Sequence, residues 1–158
     1  MIQTEEEKFM QEAILLAFEN IKNGGGPFAA LVVKNGKIVG KGANRVTANN
    51  DPTAHAEVMA IRDACKNLAT FQLTDCEIYT TCEPCPMCLG AIYWARPTKI
   101  YYAANKADAA AINFDDKFIY EEIEKPVGKR KIPALELLRT AGIKVFEEWK
   151  NNEQRIDY

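Results

Sequence analysis

Hydrophobic residues near the start of the chain follow first a helical spacing and then a strand pattern. Thr4 and Glu7 are spaced as in a capping box, which is typical of a helix start. Apolar side chains then recur three or four positions apart, up to three consecutive glycines, at Phe9, Ala13, Leu16, Ala17 and Ile21. The run F-A-A-L-V-V-K predicts a strand, and Asn35-Gly36 predicts a tight turn into a second strand through Ile38 and Val39. The chain is therefore predicted to begin with a helix and a β-hairpin.

Two helices and two strands are predicted between residues 54 and 104. The segment A-H-A-E-V-M-A-I-R-D-A-C predicts a helix whose apolar face carries Val58, Ile61, Ala64 and Cys65. C-E-I-Y-T-T is typical of a buried strand. P-M-C-L-G-A-I-Y-W-A-R predicts a helix with Pro86 at its first position, and K-I-Y-Y-A-A predicts a further strand.

The pattern loosens after residue 106. A-D-A-A-A-I-N-F-D-D-K-F-I-Y-E-E-I-E-K-P is partly helical in spacing, and L-E-L-L-R-T-A-G-I-K-V-F predicts a helix followed by a short extended piece. Strands alternate with helices along 158 residues. We therefore predict a single α/β domain, residues 1–158, in which helices cover one mixed sheet.

Charge and cysteine content narrow the classes of function. The net charge of -2 lacks the basic surplus of a typical nucleic-acid binder and argues against a nucleic-acid partner. No apolar run approaches the roughly 20 residues that span a bilayer, and M-I-Q-T-E-E-E-K does not resemble a signal peptide. Five cysteines in such a chain favour a reduced, cytoplasmic protein, with Cys65 and Cys76 as small buried residues.

The stretch T-C-E-P-C-P-M-C contains three cysteines at equal spacing, and His55 is the one histidine of the sequence. With Pro86 opening a helix, Cys85 is the cap and Cys88 lies in the first turn, so both thiolates can converge on one ion. Cys82 ends the preceding strand and is set apart by a proline bend. We predict His55, Cys85 and Cys88 as zinc ligands, and three protein ligands leave an open position, which is typical of catalytic zinc.

Other readings of this cluster stay open at this point. Cys82 could complete a closed Cys₃His structural site in a small binding domain. An iron–sulfur run is a further candidate, although no cysteine follows Cys88. Glu57, two residues after His55, can carry protons beside a metal, or it can be an ordinary first-turn acid that the helix dipole favours.

The pattern H-A-E followed by P-C-P-M-C resembles the H-x-E…P-C-x-x-C signature of zinc-dependent nucleobase and nucleoside deaminases. The whole chain resembles the small bacterial guanine deaminases of that superfamily. The stretches that carry this resemblance are G-G-P-F, N-D-P-T-A-H-A-E, T-C-E-P-C-P-M-C-L-G-A-I-Y-W-A-R-P and F-D-D-K-F-I-Y.

The resemblance implies a three-layer α/β/α sandwich with a central five-stranded sheet, and one zinc ion per chain. It implies hydrolysis of guanine to xanthine and ammonia by a zinc-activated water, with Glu57 as the proton shuttle. Backbone N–H groups of Ala56 and Cys85 lie at two predicted helix starts, where developing negative charge is stabilised. A cytosine deaminase or a tRNA adenosine deaminase shares the same zinc chemistry and stays an alternative.

Recognition of guanine requires partners for its N1–H and amino donors and for its O6 acceptor. Asp116, the second acid of F-D-D, is the candidate carboxylate and a further candidate for proton transfer, and Asn44 is the candidate amide. Phe28 and Trp94 are candidate aromatic walls. In the resemblance, Tyr158 closes the pocket. A homodimer that exchanges its C-terminal segment, from about residue 107 to 158, fits the loose pattern there.

Overall fold

A computed structural model describes residues 3–158, and these divide into two compact units. The first unit ends at Asp116 and the second comprises Lys117–Tyr158. The first unit contains α1 (Glu5–Lys22), β1 (Ala29–Lys34), β2 (Lys37–Ala43), α2 (Val46–Asn49), α3 (Ala56–Leu68), β3 (Cys76–Cys82), α4 (Pro86–Ala95), β4 (Lys99–Ala104) and α5 (Lys106–Ala111). The second contains α6 (Lys117–Glu124), a 3₁₀ turn (Val127–Lys129) and α7 (Arg139–Asn151).

The strands form a mixed sheet in the order β2-β1-β3-β4. β1 pairs antiparallel with β2 and with β3, whereas β3 and β4 are parallel and are joined through α4. Asn35 and Gly36 both have positive φ, which is the geometry of the predicted hairpin turn. The parallel pairing places the ends of β3 and β4 at one edge of the sheet, where the chain runs from Cys82 towards α4.

Helices cover both faces of this sheet. Alternate residues of β1 point to opposite faces, so Leu31 and Val33 pack with Ala13 of α1, while Ala30 and Val32 pack with α3 and α4. β1 is therefore buried on both sides, which explains its continuous apolar sequence. The predicted α/β class and its helix–sheet–helix layering are confirmed in the first unit.

Helix α3 lies unusually close to β2 because two glycines face it. A Cβ atom on Gly42 would lie 2.1 Å from the carbonyl oxygen of Ala56, and one on Gly40 would lie 2.6 Å from that of Ala60. No side chain fits in such a gap. The close approach fixes the first turn of α3, and with it His55 and Glu57, against the sheet.

Two expectations about the C-terminal third are wrong. The resemblance implied five strands, but the sheet of the described residues has four, because residues 105–158 form helices and loops. L-E-L-L was predicted to start a helix, yet α7 begins only at Arg139, after Leu138 with a φ of 53°. The piece I-K-V-F is helical and not extended, since Ile143, Phe146 and Trp149 recur every third residue and continue the helix.

Many large apolar side chains of the second unit are exposed, including Leu135, Leu137 and Leu138 at 82–85%. Within residues 3–158, none of the helices combines the length and the apolar character needed to cross a membrane.

Candidate active site

The starts of α3 and α4 supply the three predicted metal ligands. His55 is the N-cap of α3, and Cys85 is the N-cap of α4, with Pro86 at the first helical position as predicted. Both caps have extended backbone, and their carbonyls accept the first helical hydrogen bonds, from Met59 and Leu89. Cys88 follows in the first turn of α4. Two helix N-termini thus converge on one point, where their dipoles favour thiolate sulfur.

The geometry of this cluster fits zinc. The Nδ1 atom of His55 lies 3.6 Å from Cys85 Sγ and 3.5 Å from Cys88 Sγ. Tetrahedral zinc with Zn–S and Zn–N distances of about 2.3 and 2.0–2.1 Å separates sulfur from nitrogen by about 3.6 Å. All three ligand atoms lie within 4.8 Å of one another, and Nδ1 is the ring nitrogen that faces the sulfurs.

Hydrogen bonds among the three ligand groups shift their pKa values. A hydrogen bond from the Cys88 thiol, with a further one from His55, lowers the pKa of Cys85 to about 4. Cys85 in turn raises the pKa of His55 by hydrogen bonding. The shared hydrogen bonds favour the thiolate form at Cys85 and raise the pKa of Cys88, and the charge of a bound zinc ion would favour the thiolate at both sulfurs.

Cys82 is placed apart from this cluster. Its sulfur lies 3.7 Å from the carbonyl oxygen of Asn105, and in the described part of the chain it does not belong to the group of ligand atoms within 4.8 Å. Burial raises the pKa of the Cys82 thiol to about 11, so it is protonated at neutral pH. This placement favours three protein ligands and an open fourth position.

Glu57 is buried in the first turn of α3, with 6% of its surface exposed. The hydroxyl of Thr80, on β3, donates to Glu57 Oε1 at 3.3 Å. Burial raises the pKa of the carboxyl, while its hydrogen bond with Cys88 opposes that rise. An ordinary first-turn acid points to solvent, whereas this one faces the metal ligands. Thr80 was not predicted as a site residue, and its signal is a hydroxyl at one of the buried positions of β3.

The loop that carries Asn44 is tied to the start of α3. The N–H of Arg45 donates to the carbonyl of Ala54, the residue before His55, at 2.9 Å. Asn44 itself donates its backbone N–H to the carbonyl of Phe28 at 3.0 Å, and Val46 N–H donates to Asn44 Oδ1 at 3.3 Å. The last bond assigns the oxygen side of the amide and leaves the –NH₂ group as a donor.

Phe114 and Asp116 lie near the end of the first unit, one beside a predicted site residue and the other predicted as one itself. Phe114 packs edge-on against Phe28, with ring centroids 5.0 Å apart, and was not predicted as a site residue. Asp116 is partly buried, and burial followed by the nearby Cys85 charge raises the pKa of its carboxyl. The role of Asp116 in the site stays a prediction.

Three further residues were predicted to contact the substrate: Ala56, Trp94 and Tyr158. Ala56 is fully buried as the first residue of α3, so its N–H has no acceptor within the helix. Trp94 lies near the end of α4 with 65% of its surface exposed, and Tyr158 belongs to the second unit with 71% exposed. The aromatic wall at Trp94 and the closing role of Tyr158 stay predictions.

Comparison with known proteins agrees with this geometry. Residues 3–104 match the family model of the cytidine and deoxycytidylate deaminase zinc-binding region. The chain is 54% identical over 153 residues to a guanine deaminase of Bacillus subtilis, covering 96% of this chain and 98% of that protein. It is 42% identical over 98 residues to a tRNA-specific adenosine deaminase of Aquifex aeolicus, covering 62% and 65% of the two chains.

Two solved structures are also similar. The crystal structure of guanine deaminase from Bacillus subtilis superposes with a TM-score of 0.94 at 54% identity, covering 96% of this chain and 98% of that one. The guanine deaminase of Nitrosomonas europaea gives a TM-score of 0.69 at 32% identity, covering 94% and 85%. The family match spans well over half of the chain and includes every proposed metal ligand, and the chain therefore belongs to the family of zinc-binding cytidine and deoxycytidylate deaminases.

Proposed function

We propose that this protein is a zinc-dependent guanine deaminase that hydrolyses guanine to xanthine and ammonia. The observation that carries the proposal is the open cluster of His55, Cys85 and Cys88 with Glu57 buried beside it. The 54% identity to a guanine deaminase over nearly the whole chain supports the choice of substrate. One zinc ion per chain would be held by the three ligands. The five free thiols fit a reducing cytoplasm.

Proton transfer is assigned to Glu57. A zinc ion in this site would lower the pKa of a coordinated water and so supply a nucleophile at neutral pH. The buried Glu57 carboxyl, with its raised pKa, is suited to accept a proton at the reacting centre and to deliver it to the purine ring and then to the departing amino group. The Ala56 and Cys85 N–H groups lie at helix starts, where they stabilise negative charge that develops during attack.

Purine selection is assigned to groups at the edges of the cluster. The –NH₂ group of Asn44 is positioned to donate to O6, because Val46 holds the amide oxygen. Asp116 supplies the carboxylate for the N1–H and amino donors, and its raised pKa suits a share in proton transfer. Phe28, supported edge-on by Phe114, offers an aromatic face to the flat base. Trp94 and Tyr158 are proposed as further walls of the pocket.

A substrate panel tests this proposal. We expect guanine to be converted to xanthine and ammonia with a kcat/KM about 10³-fold or more above that for adenine or cytosine, since a site built from hydrogen-bonding groups rejects analogues that leave them unpaired. The second candidate, tRNA adenosine deamination, has relatives at 42% identity, but a net charge of -2 disfavours RNA binding. Turnover of an anticodon stem-loop or of cytosine, with guanine inert, would reject guanine as the substrate.

We further propose a homodimer in which the second unit, Lys117–Tyr158, is exchanged between subunits. Its leucines at 135, 137 and 138 are more than 80% exposed, and apolar surface of this kind is normally covered in a stable protein. A second copy of the chain is the partner that is always present at equal concentration. The unit boundary at Asp116 and Lys117 would then be the crossover point.

Complementation between two inactive chains tests the exchange. One chain carries Glu57→Gln and the other lacks Tyr158, and the two are co-expressed with different tags and purified as a mixed dimer. In an exchanged dimer one site contains both Glu57 and the partner's terminal residue, so we expect activity to return to about half of the wild-type value per dimer. A mixed dimer without activity, or a monomer by light scattering, would reject the exchange. Each variant purified alone is the control.

A further inference from the structure

Asn20 is a polar residue on the buried face of α1. It follows Ala13 and Ala17 at helical spacing, and only 5% of its surface is exposed. A buried amide is costly unless its hydrogen bonds are made. Here the Nδ2 group donates to the carbonyl of Gly26 at 2.8 Å and to the carbonyl of Asn44 at 3.0 Å. One side chain thus joins the end of α1, the glycine loop and the loop that carries Asn44.

The glycine loop is shaped around this amide. Gly25 N–H donates to the backbone carbonyl of Asn20 at 2.8 Å. A Cβ atom on Gly25 would lie 2.3 Å from Asn20 Nδ2, and one on Gly26 would lie 3.0 Å from Cγ of Asn44. The glycines at these two positions therefore allow the loop to close over both asparagines. This accounts for a part of the G-G-G-P-F stretch that the metal chemistry does not use.

The same contacts fix the residues assigned to the purine. Asn44 is held on both sides of its backbone, by its N–H on Phe28 and by its carbonyl on Asn20. Gly26, held by the same Nδ2 group, is two residues before Phe28. The positions of the proposed O6 donor and of the proposed stacking ring thus depend on one amide that is not among the metal ligands.

We propose that Asn20 is a positioning residue for purine recognition, which holds Asn44 and the loop before Phe28 in the geometry that accepts guanine. The inference rests on the proposed function, because the contact between Asn44 and the purine is assigned there. The simpler reading is that Asn20 is a satisfied buried amide that contributes to stability alone. The two readings differ in what they predict for guanine kinetics when Asn44 is absent.

A double-mutant cycle separates these readings. Asn20→Leu keeps the branched shape of the side chain and removes both donors, and we expect the KM for guanine to rise about tenfold, the worth of one good hydrogen bond, with zinc content unchanged and kcat within about threefold. In an Asn44→Ala background the same change should raise the KM by a clearly smaller factor, because only the part that acts through Gly26 and the loop before Phe28 remains. Asn67→Leu is the control, since the Asn67 amide also donates to a backbone carbonyl of another element, that of Val39 in β2 at 2.9 Å, and serves no site residue.

A second variant disturbs the contacts of the Asn20 amide by a change in the glycine loop. Gly25→Ala places a methyl group against the Asn20 amide, at a position whose φ is not positive, and should raise the KM in the same direction if Asn20→Leu does not fold. The inference would be overturned if Asn20→Leu raised the KM for guanine by the same factor with and without the Asn44 side chain. It would also be overturned if Asn20→Leu lowered the Tm and left the kinetics unchanged. If Asn44→Ala alone leaves guanine kinetics unchanged, the purine contact is wrong and the inference falls with it. If Asn44→Ala raises the KM for guanine but Asn20→Leu does not, the inference about Asn20 is wrong and the proposed function stands.

Discussion

Glu57→Gln is expected to abolish guanine turnover while the protein keeps its zinc. Glutamine has the same shape and can still accept the hydrogen bond from Thr80, so the first turn of α3 stays in place. It cannot accept and return a proton. General acid–base catalysis contributes about 10²–10⁴-fold to a rate, and the loss should reach the upper end because one carboxyl serves more than one transfer. Steady-state xanthine release and metal analysis of the purified variant measure both quantities.

Glu7→Gln is the matched control for this variant. Glu7 is also a first-turn acid, on α1, where its carboxylate accepts from Thr4 N–H in the capping box. If Glu57 served only the helix dipole, both variants would lose about 0.3–1 kcal/mol of stability and keep full activity. We expect that small loss of stability from Glu7→Gln with normal turnover. Substantial activity in Glu57→Gln would mean that another group, with Asp116 as the first candidate, moves the proton.

The first unit was predictable because its signals are local. Pro86 fixes the start of α4, and this start determines that Cys85 is the cap and Cys88 the first-turn residue. Asn35-Gly36 similarly fixes the hairpin, since both residues adopt the positive φ that the turn requires. Neither inference needed a contact between distant parts of the chain. The three ligand positions could therefore be proposed from sequence with their elements correctly assigned.

The contacts that support the site were not predictable in the same way. Asn20 looks in the sequence like a surface residue near a helix end, and only the fold brings Asn44, 24 residues later, against its amide. Thr80 likewise meets Glu57 from a different element, and no spacing rule links positions 57 and 80. Such residues are identified by burial of a polar group, which depends on long-range packing.

Helices were predicted in the second unit, but the exposed segment before α7 was not, for a different physical reason. Its apolar residues suggested a buried strand or helix face, yet Leu135, Leu137 and Leu138 lie exposed in an irregular segment. Binary patterning assumes that apolar residues are buried within their own chain. If a second copy covers this surface, as proposed, the pattern records an interface between chains, which periodicity alone does not distinguish from a core.

Cys85→Ser is expected to remove zinc and activity together, whereas Cys82→Ser should keep both. Cys85 supplies a sulfur 3.6 Å from His55 Nδ1, and a serine hydroxyl is a poor replacement for a thiolate on zinc. Bound metal should fall from about one zinc per chain to near none. Cys82 instead contacts the carbonyl of Asn105, to which a serine hydroxyl can also donate. Metal analysis, guanine turnover and thermal unfolding of both variants give the comparison.

The pair also decides between an open and a closed site. In a closed Cys₃His site both sulfurs bind the metal, so either serine would release zinc and unfold the domain, as structural zinc contributes directly to folding. In the open site only Cys85→Ser loses metal, and the fold survives because the sheet is packed by apolar residues from α1, α3 and α4. Zinc loss with unfolding in Cys82→Ser would therefore replace the catalytic assignment with a structural one. Retained zinc and turnover in that variant would instead leave the fourth position to the water that the reaction consumes.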